Sequence, residues 1–179
     1  LAVGDCDNHI QKIKERAESM SLGDTMGAII TKDQVEFLNS AIEKAKAAGA
    51  KILLDGRNAK APSNFEGGYW LGPTIIDQVQ PGSDAAKIEL FGPIMSIIRC
   101  ENIAKAMEIE NSIEYGNACS VFTNSGALAE KVIASAKAGM CGINVGVPVP
   151  REPFSFGGMN SSKFGHGDIT GEQSLDFWS

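Results

Sequence analysis

A carboxylate, an aromatic ring and a Gly-Pro pair stand side by side in Glu89-Leu90-Phe91-Gly92-Pro93, directly ahead of the apolar run Ile94-Met95-Ser96-Ile97-Ile98. A carboxylate at a strand edge can accept hydrogen bonds from both hydroxyls of a sugar diol. A ring two residues on falls on the same side of an extended backbone, where it can cover the face of a flat heterocycle. On the residues alone a plainer account is equally open, a solvated acid ahead of a buried ring.

The second unusual string is Pro153-Phe154-Ser155-Phe156-Gly157-Gly158-Met159-Asn160-Ser161-Ser162-Lys163-Phe164-Gly165. It lies in a Gly- and Pro-rich stretch, residues 146–171, that is too long and too aromatic for a linker. Phe154, Phe156 and Phe164 stand exposed unless they pack on something, and loops of this length within a compact domain are usually functional. Asn144, polar at a strand end, is expected to fix a neighbouring loop through its amide. Arg151 and Glu152 read as an exposed pair. His166, between Gly165 and Gly167 and without an orienting partner nearby, reads as a turn residue. No strand precedes this glycine cluster, so it is not a dinucleotide fingerprint.

The elements that must position these residues follow from periodicity. Ile10, Ile13 and Ala17 predict an amphipathic helix over 9–20. Thr31-Lys32-Asp33-Gln34 is a capping box, followed at helical spacing by Val35, Leu38, Ile42 and Ala45, with Gly49 as the left-handed terminator. Strands are expected over 50–56, 69–79, 94–98, 118–123 and 140–145, and helices over 102–109 and 126–138, the latter ended by Gly139. Residues 58–68 read as a surface excursion. Alternation of this kind predicts an α/β fold, a mostly parallel sheet covered by helices.

Composition narrows the function. Sixteen basic against 22 acidic residues give a net charge of −6 without a basic cluster, which argues against a phosphate-backbone binder. No apolar run approaches the roughly 20 residues of a membrane span, and the first residues carry no signal-peptide pattern, so a cytoplasmic protein is expected. Cys6, Cys100, Cys119 and Cys141 lack Cys-x-x-Cys spacing, and with only two histidines they make no zinc set. The last three sit in or beside apolar runs and read as small buried hydrophobes.

The acidic-aliphatic-Phe-Gly-Pro run, followed by Gly142-Ile143-Asn144-Val145 and then Phe156-Gly157-Gly158, with Gly72-Pro73-Thr74 upstream, resembles the C-terminal pattern of the aldehyde dehydrogenase superfamily. The likeness covers nearly the whole chain. Residues 142–153 and 163–171 look most like the methylmalonate-semialdehyde dehydrogenase branch, the CoA-acylating type, although Met159 stands where that branch is expected to carry an aromatic residue. The resemblance implies that residues 1–179 are part of a catalytic domain whose dinucleotide-binding domain is absent from this chain. It further implies that Glu89 binds the nicotinamide ribose of NAD and that Phe91 lies against the nicotinamide ring. Phe156 would line the aldehyde tunnel, with Val147, Pro148 and Pro150 as further wall residues, excluding water from a thioester intermediate.

Family chemistry starts from a thiolate attacking the aldehyde, passes a hydride to NAD and releases the acyl group to water or CoA. By resemblance the nucleophilic cysteine belongs upstream of Leu1, in a Gly-Gln-x-Cys motif. Cys6 does not match it, and its acidic neighbours Asp5 and Asp7 disfavour a thiolate. The expectation is a C-terminal portion of an NAD-dependent (methyl)malonate-semialdehyde dehydrogenase, inactive by itself, acting on a small-molecule aldehyde with CoA as co-substrate. No nucleic acid, membrane or metal is expected as a partner, and self-association into a homo-oligomer is. The alternatives are a non-catalytic module of the same fold and a fragment of a non-acylating aldehyde dehydrogenase.

Overall fold

The computed structural model describes residues 1–151, 153–164 and 168–179. The expected pair of Arg151 with Glu152 and the expected turn at His166 lie outside the described residues. The chain forms two compact units, Leu1–Ile103 and Ala104–Ser179.

In the first unit, β1 (Ala2–Val3) leads into α1 (Asp7–Glu18). Of its apolar stripe, Ile10 reaches the interior and meets Ile75 and Ile97, with Ala2, Cys6, Ala17, Leu53 and Leu54 packed around them. The helix starts at Asp7, earlier than its apolar period predicts, because a carboxylate is favoured in a first turn and this one is also held by Arg99, whose Nη1 donates to its Oδ1 at 2.7 Å. α2 (Lys32–Ala47) buries Leu38, Ile42 and Ala45, the predicted face. Its end is as expected: Gly49 has φ +92, and the Ala50 N–H donates back to the Ala45 carbonyl at 3.0 Å.

Next, β2 (Lys51–Leu54) pairs antiparallel with β3 (Thr74–Asp77). After the short α3 (Asp84–Lys87), β4 (Ile94–Ser96) joins the other edge of β3 in parallel, so the order is β2-β3-β4. Every residue of β3 is buried, as a central strand should be. It is much shorter than the strand expected over 69–79. Pro73 supplies no ladder donor at one end, and Gln78 turns left-handed (φ +56) at the other. β5 (Arg99–Cys100) pairs in parallel with β1. Asp77, 2% exposed, is the one carboxylate among the described residues buried in this sheet. Arg99 forks onto it, Nε to Oδ1 at 2.9 Å and Nη2 to Oδ2 at 2.8 Å.

α4 (Ile103–Asn111) starts at the boundary and enters the second unit, burying Ala106 and Ile109. β6 (Tyr115–Gly116) precedes β7 (Ala118–Val121), α5 (Gly126–Ser135) and β8 (Met140–Ile143). β7 and β8 pair in parallel through the α5 crossover. α5 stops at Ser135, short of the expected 138. The Asn111 amide intervenes there, its Nδ2 donating to the Ser135 carbonyl at 2.9 Å and its Oδ1 accepting from the Lys137 N–H at 2.8 Å. Gly139 is therefore not the helix terminator. Any Cβ at that position would meet the backbone of Gly157 and Gly158, so Gly139 lets two stretches of main chain touch. β9 (Met159–Asn160) returns antiparallel to β6, and α6 (Gln173–Trp178) ends the chain. Among the described residues no helix is long and apolar enough to cross a membrane.

Candidate functional site

The turn that carries Glu89 and Phe91 is held from the first turn of α2. Thr31 caps that helix, its Oγ1 accepting from the Gln34 N–H at 3.2 Å. The reciprocal arm of the capping box is missing. Instead the Gln34 side chain leaves the helix: its Nε2 donates to the Leu90 carbonyl at 2.7 Å and lies 3.4 Å from that of Phe91. One helical turn on, the fully buried Leu38 fills the space under Gly92, where an added Cβ would sit 2.5 Å from Leu38 Cδ1. Phe91 between them has φ +52, a conformation costing a non-glycine residue about 1–2 kcal/mol. The expected same-side alternation of Glu89 and Phe91 therefore fails, because the backbone at Phe91 is left-handed rather than extended.

This clamp leaves the two candidate groups free. Phe91 is 80% exposed, and the exposed Glu89 side chain makes no hydrogen bond or ion pair among the described residues. The backbone of the turn is fixed from beneath, and it presents to solvent a carboxylate that can accept from hydroxyls and an open aromatic face.

In the second unit, Asn144 ends β8 in a left-handed conformation (φ +54). Its Oδ1 accepts from the Thr123 N–H at 2.9 Å and its Nδ2 donates to the Thr123 carbonyl at 3.1 Å, which is the structural role expected of it. The chain then enters the loop with Val147, Pro148 and Pro150. Val147 is exposed, whereas Pro148 lies against Gly142, close enough that a Cβ there would come within 2.8 Å. Phe154, Phe156 and Phe164 are all exposed. The Phe156 N–H donates to Thr170 Oγ1 at 3.3 Å and the Ser155 hydroxyl to the Thr170 carbonyl at 3.4 Å, so residues near 170 fasten this segment.

The four cysteines are free thiols. Cys100 is buried, and Cys119 and Cys141, register partners on β7 and β8, are half-buried. Burial, then the Glu110 carboxylate, push the Cys119 thiol up to about 11. The same causes in the same order raise Cys141. Burial also lifts the Glu110 carboxyl above its ordinary value. The Cys6 Sγ donates to the Val3 carbonyl at 3.3 Å. Raised or hydrogen-donating thiols are poor nucleophiles.

Gln34 and Asp168 are the residues that sequence reasoning missed. Gln34 was legible as half of a capping box, but that motif gives no sign that the amide would go to a distant carbonyl. Asp168, spaced two residues before Thr170, carries the signature of an Asx turn.

The pattern of the aldehyde dehydrogenase family matches residues 4–179. A malonate-semialdehyde dehydrogenase of Bacillus velezensis is 35% identical over 98% of this chain and 37% of its own length. The acylating methylmalonate-semialdehyde/malonate-semialdehyde dehydrogenase of Rattus norvegicus, a mitochondrial protein, is 35% identical over 100% of this chain and 34% of its own. A solved structure from Sinorhizobium meliloti, assigned as a methylmalonate-semialdehyde dehydrogenase and complexed with NAD, superposes with a TM-score of 0.93 at 35% identity, covering 98% of this chain and 37% of that one. The chain thus spans about a third of the length of the curated relatives it matches. The family pattern over residues 4–179 and the shared fold show that the chain belongs to the aldehyde dehydrogenase family.

Proposed function

We propose that this chain is the nicotinamide-holding and aldehyde-lining portion of an NAD-dependent semialdehyde dehydrogenase of the methylmalonate or malonate type, with CoA as acyl acceptor. The observation that carries this reading is the Glu89–Phe91 turn, presented to solvent and fixed by Gln34 and Leu38. NAD, when bound, supplies the hydride acceptor. Glu89 accepts hydrogen bonds from the ribose hydroxyls, and a carboxylate is suited to this because it is acceptor-only. Phe91 covers one face of the ring, and the fixed turn spares the cofactor the entropic cost of ordering it. Phe156, with Val147, Pro148 and Pro150, forms an apolar lining for the aldehyde that keeps water from the acyl intermediate.

By the resemblance the nucleophile belongs to a Gly-Gln-x-Cys motif upstream of Leu1; within this chain, burial and the Glu110 carboxylate raise the Cys119 and Cys141 thiols and disfavour their thiolates. The remaining parts of the reading, residues 1–179 as part of a catalytic domain, a homo-oligomeric enzyme and a cytoplasmic setting, rest on the resemblance to full-length relatives.

Titration with nicotinamide mononucleotide tests the site, because this probe carries only the ribose and ring that Glu89 and Phe91 would hold. Amide shifts confined to residues 89–92, lost in Glu89→Gln, are expected. Binding undiminished by Glu89→Gln would refute the assignment of that carboxylate. Malonate semialdehyde, NAD and CoA should yield no NADH with this chain alone.

A further inference from the structure

The second unit holds a buried carboxylate that the family resemblance did not single out. Asp168 is 5% exposed. Its Oδ1 accepts from both the Thr170 N–H, at 3.1 Å, and the Thr170 hydroxyl, at 3.0 Å. Its Oδ2 is buried and has no hydrogen-bond partner among the described residues. Burying an oxygen unpartnered is unfavourable, so a residue that merely filled this space would be apolar.

The direction of the bonds gives the carboxylate a task. A threonine hydroxyl donates one hydrogen and can rotate to place it. An ionised carboxylate only accepts, so the Thr170 hydroxyl must spend its hydrogen on Asp168. Its lone pairs are then aimed away from Asp168, and one receives the Phe156 N–H at 3.3 Å. Two flanking bonds join the same segments: the Ser155 hydroxyl donates to the Thr170 carbonyl at 3.4 Å, and in the reverse direction the Glu172 N–H donates to the Pro153 carbonyl at 3.3 Å.

We propose that Asp168 is a positioning residue, which fixes the Thr170 hydroxyl as an acceptor and through it holds the Phe156 backbone, and so the ring, at the aldehyde lining. The assignment of Phe156 to that lining rests on the function proposed above; the relay itself does not. In its absence Thr170 could turn its hydrogen toward Phe156 and become a second donor facing a donor. Asp168→Ala produces this freedom by removing the acceptor, whereas Asp168→Asn keeps an amide oxygen that can still accept from Thr170.

Amide hydrogen exchange on the ¹⁵N-labelled full chain tests the relay, with the Thr123 amide, held by Asn144 in the same unit, as the internal control. Thr170→Val should accelerate exchange at Phe156 by about fivefold or more, the loss of one hydrogen bond's net worth, and leave Thr123 unchanged. Asp168→Ala should accelerate Phe156 in the same selective way, and Thr170→Ser should keep wild-type exchange. Equal acceleration at Thr123, or none at Phe156 in either variant, overturns the proposal. A fluorinated Phe156 titrated with propanal separates the two readings. A ring signal that shifts while the exchange test fails sinks the relay alone. An intact relay with no ring response leaves Asp168 as the positioning residue of this segment and refutes the aldehyde role of Phe156.

Discussion

The Gln34 side-chain amide donates to the Leu90 carbonyl at 2.7 Å, across 56 positions of sequence, and thereby makes the first turn of a helix the mount for the Glu89–Phe91 pair. Gln34→Ala should lower stability by about 1–2 kcal/mol, the range for a lost side-chain hydrogen bond with partial desolvation. Gln34→Glu separates the cap from the clamp. A glutamate suits the capping box better, yet it places an acceptor against the Leu90 carbonyl, so it should destabilise as well. Chemical denaturation of both variants measures this, and a stabilised Gln34→Glu would mean that the clamp contributes nothing.

Gly92 and Leu38 form the second half of the mount. Gly92→Ala pushes a methyl into a fully buried leucine that has no free space to retreat into, and should cost about 1–3 kcal/mol. Combined with Leu38→Ala, which opens that space, the two losses should sum to less than their separate values, as a double-mutant cycle would read. Strict additivity would place the clash elsewhere.

The Asp77–Arg99 fork sets an acid limit on the first unit. The Arg99 guanidinium holds the Asp77 carboxyl below its ordinary value, against the opposing effect of burial. A depressed carboxylate contributes stability that is present above its unfolded value, about pH 4, and is lost as the pH falls through the lower folded value. Asp77→Asn should cost about 3 kcal/mol at neutral pH, since it leaves a partly buried cation short of its main partner, and should flatten the acid limb. Urea midpoints at pH 7 and pH 3 that fall equally in both proteins would count against this.

Cys119 predicts the opposite slope at the alkaline end. Its thiol is raised to about 11 in the folded state, against about 8.5 unfolded, so stability is full below the unfolded value and declines as pH rises through the folded one. Alkylation by iodoacetamide at pH 8 should accordingly be slow for Cys119 in the native chain and become fast on addition of denaturant. Rapid native labelling at pH 8 would show the thiol to be exposed and ionisable.

Much of this was legible in the residues, for identifiable reasons. The buried face of α2 followed from apolar spacing because helices that cover a sheet obey a period, whereas on α1 only Ile10 of the expected stripe is buried and Ile13 is exposed. Gly49 and Asn144 did what their types suggested, since both roles are local. What escaped was non-local. The C-terminus of α5 was set by Asn111, from a different helix, and no pattern in residues 126–139 reports that amide. The central strand shrank to Thr74–Asp77 because left-handed Gln78 interrupts a run that hydrophobicity alone extends. The geometry at Phe91 was misjudged for the same reason: a left-handed phenylalanine exists only because Gln34 and Leu38 hold it there. The resemblance supplied the identities of the candidate site residues, and the structure supplied what mounts them.

The contact of Gly139 with Gly157 and Gly158 is a seam of main chain against main chain, in which no side chain takes part. The residue ahead of β8 therefore meets the end of the loop through backbone alone, whereas within β8 Gly142 meets the side chain of Pro148. Exchange of residues 149–156 for those of a relative with another aldehyde preference, as a cassette, should leave the fold intact provided that proline remains at 148 and glycine at 139, 157 and 158.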